Sequence, residues 1–346
     1  MSGEAAPLLV TEDELLRAEV LRLAAAADVA VTTCRDLDGV RLLFGSAPLV
    51  MVGADLAAGV RDLGLSRRDG VVVVSRGEAD FRCALELGAT EVLVLPSGAD
   101  WLISTLSDAG EGTGGAGVVL GFLSAGGGAG ASTLAAAMAA AAADRWRTAL
   151  VDLDPHGAGL EAVLGAELSA AGWSSLDLAH GRISARSLRE ALPSVASVTL
   201  LGWGDSTPRD PIAAVGRESI EGLRRGHDLV VVDLPRGAAD PGSWPASVCD
   251  RVYVVAHCSL VGTNAGVRVV DRLRAMLVEP MLVARRGKGT VTPRQLAAAL
   301  GTPLAATVHD TRQVAEQVDL GLGPLCRSRH GPGRAAGVLL DSLASA

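Results

Sequence analysis

Residues 121–143 read GFLSAGGGAGASTLAAAMAAAAA: an apolar run, a cluster of glycines, two hydroxyl residues and an alanine-rich stretch. This order can hold an anion. Glycines let successive backbone N–H groups turn toward one point, and the start of a helix adds partial positive charge there. The phosphate-loop pattern is GxxxxGK[ST], with the lysine on the β/γ-phosphates and the hydroxyl on Mg²⁺. Gly130 falls on the second glycine and Ser132 on the hydroxyl, whereas Ala125 replaces the first glycine and Ala131 the lysine. A tight strand-to-helix turn in an alanine-rich chain would read much the same, so the loop alone leaves both readings open.

Carboxylates further along favour the anion cradle. ALVDLDPHGAGLEAVLG places Asp152 and Asp154 at the end of the next expected strand, and HDLVVVDLP places Asp233 at the end of a later one. Ligands of open α/β sheets bind at strand C-termini. One carboxylate there could orient a water (Asp152), and others could hold Mg²⁺ together with Ser132 (Asp154 and Asp233). A single Asp after a strand is ordinarily a helix cap; three that follow a glycine loop point to a ligand.

Two alternating β/α regions must position these residues. Before residue 107, apolar runs such as PLVMVGAD and GVVVVSRGE alternate with helical patterns such as ELLRAEVLRLAAAA, giving five β/α units. SDAGEGTGGAG, residues 107–117, reads as a glycine-rich linker. After it, strands are expected at GVVLGFLSA, TALVDLD, VTLLGWG, DLVVVDLP, RVYVVAH, PMLVARR and LAATVHD. Continuous apolar runs such as LVVVDL suit parallel strands buried on both faces. The expected domains are therefore 1–106 and 118–346, both α/β and doubly wound.

Composition narrows the classes. Hydrophobic residues are 49% and aromatics 3% of the 346, so the cores must be aliphatic. A net charge of −8 gives no global nucleic-acid footprint. The scattered Cys34, Cys83, Cys249, Cys258 and Cys326 suit reduced thiols in a cytoplasmic protein rather than disulfides. The start of the chain has no signal-peptide pattern, and no run approaches the ~20 apolar residues of a membrane span. The sequence shows no histidine ligand pattern and no GxSxG elbow.

With these motifs in view, the second region resembles the MinD/ParA family of deviant Walker A ATPases, whose motifs are KGGxGK[ST]T, DxD and DxP. Gly126–Thr133 matches the first, Asp152–Asp154 the second and Asp233–Pro235 the third, and GTPLAATVHDTRQVAEQVDLGLGP is similar to the family's closing segment. The resemblance implies a P-loop NTPase-like fold, ATP and Mg²⁺ as cofactors, nucleotide contacts from Gly126, Gly127, Gly128, Ala129, Gly130, Ala131, Ser132 and Thr133, and a homodimer formed around the nucleotide. Both family lysines are absent: Gly126 and Ala131 stand in their places, and the adenine-contacting asparagine has no counterpart in MLVARRGKG. Hydrolysis is then expected to be very slow or nil. An arginine, for instance Arg236 or Arg285, could stand in for a lysine, and an atypical ATPase using one is the alternative.

The first region resembles a response-regulator receiver of the flavodoxin-like type. Glu12 and Asp13 match its acidic pair. Gly53 or Ala54 is nearest the phosphoacceptor position, Asp55 comes late, and Leu95 stands where a lysine is expected before Pro96. The resemblance implies a degenerate receiver. A degenerate receiver joined to a MinD/ParA-type body is the arrangement of the CpaE/TadZ group, including the actinobacterial septum site-determining proteins. It implies a cytoplasmic regulator of septum placement or of pilus and secretion machinery, with protein partners from those assemblies. The tail CRSRHGPGRAAGVLLDSLASA is expected to pack as a final helix. Arg327, Arg329 and Arg334 leave a peripheral membrane contact open. The alanine helix after the loop is expected in the core, with a homodimer face as the alternative.

Overall fold

The computed structural model describes residues 6–77, 80–110, 117–166, 172–176, 183, 185–204, 212–287, 289–310, 312–324 and 331–344. Lys288, Cys326, Arg327 and Arg329 lie outside the described residues. The chain forms two compact units that divide within residues 107–117.

The first unit is a five-stranded parallel sheet of β1 (Leu8–Val10), β2 (Thr32–Cys34), β3 (Val50–Gly53), β4 (Val71–Ser75) and β5 (Glu91–Val94), in the order β2-β1-β3-β4-β5. That is the flavodoxin-like order. The period-2 alternation of strand side chains divides its aliphatic residues between two cores. Leu8, Val10, Val50, Val52, Val71 and Val73 pack with Val40, Val60 and Ala84 of α2 (Leu37–Leu43), α3 (Ala57–Asp62) and α4 (Phe81–Leu87). Leu9, Met51, Val72 and Val74 pack with Leu16, Val20, Leu102 and Leu106 of α1 (Glu14–Ala26) and α5 (Ala99–Gly110). The last helix runs past Ser107, where the linker was expected to begin, and buries Asp108.

The second unit is an eight-stranded sheet. Its strands are β6 (Val118–Ser124), β7 (Thr148–Asp152), β8 (Ser194–Val195), β9 (Val198–Leu201), β10 (Leu229–Leu234), β11 (Arg251–His257), β12 (Pro280–Arg286) and β13 (Leu304–His309). Their order is β13-β12-β11-β6-β10-β7-β9-β8, parallel throughout except for the β8–β9 pair. The two-residue β8 is the strand the sequence did not show. β6 lies between β11 and β10, so the chain leaves its C-terminal end at a place where strand order reverses. Such a reversal opens a crevice for ligands.

The alanine-rich α6 (Ala131–Ala142) follows β6 and is buried along most of its length. Its small side chains allow close approach, and α14 (Gly331–Ala344) lies against it, burying Ala335, Ala336, Leu339 and Leu340 in the same core. Two expectations are settled by this packing. The final helix is a core helix of the second unit, and the face of α6 offered as a homodimer surface is covered within the chain. Among the described residues no helix is long and apolar enough to cross a membrane.

Candidate functional site: a phosphate loop without its lysine

The loop between β6 and α6 is shaped by two glycines. Gly128 has φ +71° and Gly130, the residue that caps α6, has φ +89°. L-residues with a side chain rarely adopt this left-handed backbone. The Ser124 hydroxyl donates to the Gly126 carbonyl at 2.7 Å and fixes the loop's first bend. The Ala129 N–H closes back on the same carbonyl at 3.3 Å. Gly127 and Gly128 are exposed, whereas Ala129 and Ala131 are buried. The strand-to-helix bend expected of Gly126–Thr133 is therefore present, and Ala131 turns its methyl group into the core.

The carboxylates fall into two roles. Asp233, in the fully buried β10, takes a hydrogen bond from the Ser132 hydroxyl. Burial, first, pushes its carboxyl up to about 7; the Ser132 bond lowers it, and the neighbouring Asp152 and Asp154 raise it. Asp152 is turned toward its own loop. Its two carboxylate oxygens accept from the Asp154 and Leu160 N–H groups, each at 3.0 Å, while its carbonyl accepts from the Trp173 indole at 2.8 Å. Burial also pushes Asp152 up to about 7, offset by those two N–H groups and reinforced by Glu161 and Asp154. With both oxygens engaged and 2% of its surface exposed, Asp152 organises the loop into α7 (Leu160–Leu164). Asp154 is half-buried and accepts only a local bond from the His156 N–H, at 3.1 Å. Of the expected metal-binding set, Ser132 and Asp233 meet directly, and Asp154 is near enough for its charge to act on Asp233. Among the described residues no three His, Cys, Asp or Glu side chains converge as a ready-made metal cage.

Two arginines reach the loop. Arg285, at the end of β12, donates to the Gly128 carbonyl at 2.7 Å and to the Asp310 carboxylate at 2.6 Å. A Cβ placed on Gly130 would meet its guanidinium at 2.7 Å. Arg236 comes directly after the Asp233–Pro235 segment, and a Cβ on Gly127 would meet its guanidinium at 3.4 Å. Beside the loop lies a cleft of about 280 Å³. Its apolar wall includes Val308, Val314, Val318 and Pro332, and its polar rim Thr133, Arg285, His309, Asp310 and Asp319. Sequence reasoning missed the Arg285–Asp310 bridge and the rim residues His309, Asp310 and Asp319; the position of VHD at a strand C-terminus was the one signal that could have marked the first two.

The receiver-like unit carries the remaining candidates. The Asp55 carboxylate accepts from the Thr11 hydroxyl at 2.9 Å and from the N–H groups of Glu12 and Asp13 at 2.7 and 3.2 Å. It folds over Gly53 so closely that a Cβ there would clash with it, leaving no room for an acidic side chain at Gly53. Asp13 spends its carboxylate on the Leu15 and Leu16 N–H groups at the start of α1. Leu95, where a lysine would stand, is buried. Treatment with acetyl phosphate and Mg²⁺ is accordingly expected to add no phosphate by intact-mass measurement; a stable gain of one phosphoryl group on Asp55 would refute the degenerate reading.

Comparison with known proteins agrees with both units. A family model described as "Rv3660c-like, CheY-like N-terminal domain" matches residues 10–117. The uncharacterized protein Rv3660c of Mycobacterium tuberculosis (strain ATCC 25618 / H37Rv) is 33% identical over 322 residues, covering 89% of this chain and 90% of that protein. A ParA family ATPase from Chlorobium tepidum TLS superposes with a TM-score of 0.56 at 18% identity, over 66% of this chain and 99% of that one. The septum site-determining protein MinD complexed with Mg-ADP, from Pyrococcus horikoshii OT3, gives a TM-score of 0.51 at 19% identity, over 66% and 97%. At these identities the structural likeness shows the fold, that of MinD/ParA P-loop NTPases.

Proposed function

This chain belongs to the Rv3660c-like family, and from that premise we propose that it is a MinD/ParA-type regulator whose nucleotide site binds Mg·ATP but scarcely hydrolyses it. The observation that carries the reading is a loop that keeps the phosphate-binding bend, with left-handed Gly128 and Gly130 and the Ser132–Asp233 contact, while Ala131 buries a methyl group where the lysine belongs.

The residues present fit the ligand in part. Backbone N–H groups of the loop and of the first turn of α6 would hold phosphate oxygens. Ser132 and Asp233 would hold Mg²⁺, with Asp154 at its edge, and the cleft beside Thr133 and Val308 would take the nucleoside. The metal supplies charge neutralisation of the phosphates when bound. What is missing is the loop lysine, replaced by Ala131. Loss of one such preorganised contact commonly costs about 10²–10³ in rate, and Asp152, engaged on both oxygens, is not free to orient water. A MinD-like fold in one chain with a receiver-like unit that lacks the phosphoacceptor acid at Gly53 supports a role in positioning septum or pilus and secretion components through protein contacts, as in the CpaE/TadZ and septum site-determining groups, in the cytoplasm and at most peripherally at the membrane.

The test is a calorimetric titration of the full chain with Mg·ATP, with phosphate release followed in parallel. Saturable binding with release no faster than in buffer is expected. Rapid Mg²⁺-dependent turnover would overturn the reading in favour of an active ATPase.

A further inference from the structure

The two arginines at the loop are held in different ways. Arg285 is tied at both ends of its guanidinium, to the Gly128 carbonyl and to Asp310, and so braces the loop from the side. Arg236 is exposed, and no ion pair or hydrogen bond engages it among the described residues. It opens the short 3-10 turn Arg236–Ala239, immediately after Pro235 has ended β10. The carboxylate that shares this turn's end, Asp240, is already paired with Arg272 at 2.8 Å. Asp233 is buried against Ser132. Neither neighbouring acid therefore draws Arg236 away, and its guanidinium stands over Gly127 in the loop.

That position has a chemical meaning. The N–H groups at the helix start hold the inner phosphates of a nucleotide. A third phosphate that reached back along the loop to Gly127 would meet the Arg236 guanidinium. A guanidinium presents several N–H donors in a planar fork matched to phosphate oxygens. We propose that Arg236 is the residue that meets the terminal phosphate of a nucleoside triphosphate on this loop, so that a single chain distinguishes triphosphate from diphosphate without a cation from a second copy. The assignment rests on the nucleotide-binding reading above and adds to it the residue that senses the third phosphate.

The test is calorimetric titration of the full chain and of its Arg236→Ala and Arg236→Lys variants with Mg·ATP and with Mg·ADP. Wild-type protein is expected to favour ATP. Arg236→Ala should weaken ATP by about tenfold or more, as loss of a charge-assisted contact does, and leave ADP within about twofold. Arg236→Lys should keep part of the ATP preference, because it keeps the charge and loses the fork. Since Arg236 is exposed, the thermal midpoint should not move. If Arg236→Ala changes ATP and ADP equally, or changes neither, the assignment fails while the nucleotide site stands. If wild-type protein binds neither nucleotide, the site reading fails and the assignment with it.

Discussion

Gly130→Ala is expected to lower the thermal midpoint of the second unit by roughly 5–10 °C, and to weaken Mg·ATP binding by about tenfold or more. Two costs combine at this position. At φ +89° an alanine pays about 1–2 kcal/mol for the left-handed backbone. Its methyl group would also stand 2.7 Å from the Arg285 guanidinium. Arg285 must then shift and give up its bond to the Gly128 carbonyl, worth about 1 kcal/mol. Gly128→Ala separates the two costs, because φ is +71° there but nothing lies within 4 Å of the added carbon. It should cost about half as much as Gly130→Ala. In an Arg285→Ala background the Gly130→Ala penalty should shrink toward that of Gly128→Ala, a coupling that a double-mutant cycle measures directly. Equal penalties in both backgrounds would show that Arg285 does not brace the loop.

The same residues show which parts of the molecule can be read from sequence. The strands were legible because burial on both faces forces runs such as VVVV (residues 71–74) and LVVVDL (residues 229–234) to be apolar throughout. The loop was legible because a left-handed turn at a helix start demands glycine at fixed offsets. What escaped is nonlocal. Arg285 reaches Gly128 across 157 residues of sequence, and no local pattern encodes such a contact. β8 is only two residues long, too short for any periodicity. The hydrogen bonding of Asp152 was hidden for a subtler reason. Its place at the strand end was right, but the orientation of its carboxylate is set by two N–H groups of the following loop, and spacing carries no information about that.

The buried acids make a second prediction with a sign that can be checked. In metal-free buffer, wild-type protein should lose stability as the pH rises from about 4 toward 7, and Asp233→Asn should flatten that loss. Asp152 and Asp233 each have a folded-state pKa of about 7 against an ordinary 3.8. For acids raised in this way the folded state binds more protons than the unfolded one. The stabilisation is therefore complete below about pH 4 and is gone once the pH passes about 7. Three pK units correspond to about 4 kcal/mol at most for one group. Above that window both carboxylates are ionised beside one another with little solvent, since 2% and 4% of their surfaces are exposed. Asparagine at 233 keeps an acceptor for the Ser132 hydroxyl and removes one of the repelling charges. The variant should melt higher than wild type at pH 8, by roughly 5–10 °C for a relief of about 2–4 kcal/mol. Mg²⁺ should raise the wild-type midpoint at pH 8 by neutralising the same cluster, and should do little for the variant, which has lost the carboxylate that holds the ion. Thermal melts at pH 5.5 and 8, with EDTA or with Mg²⁺, decide the matter. A wild-type midpoint that does not fall with pH, or an Asp233→Asn protein that melts lower at pH 8, would mean that the acids beside the loop are not held against their own charge and that no metal site is stored there.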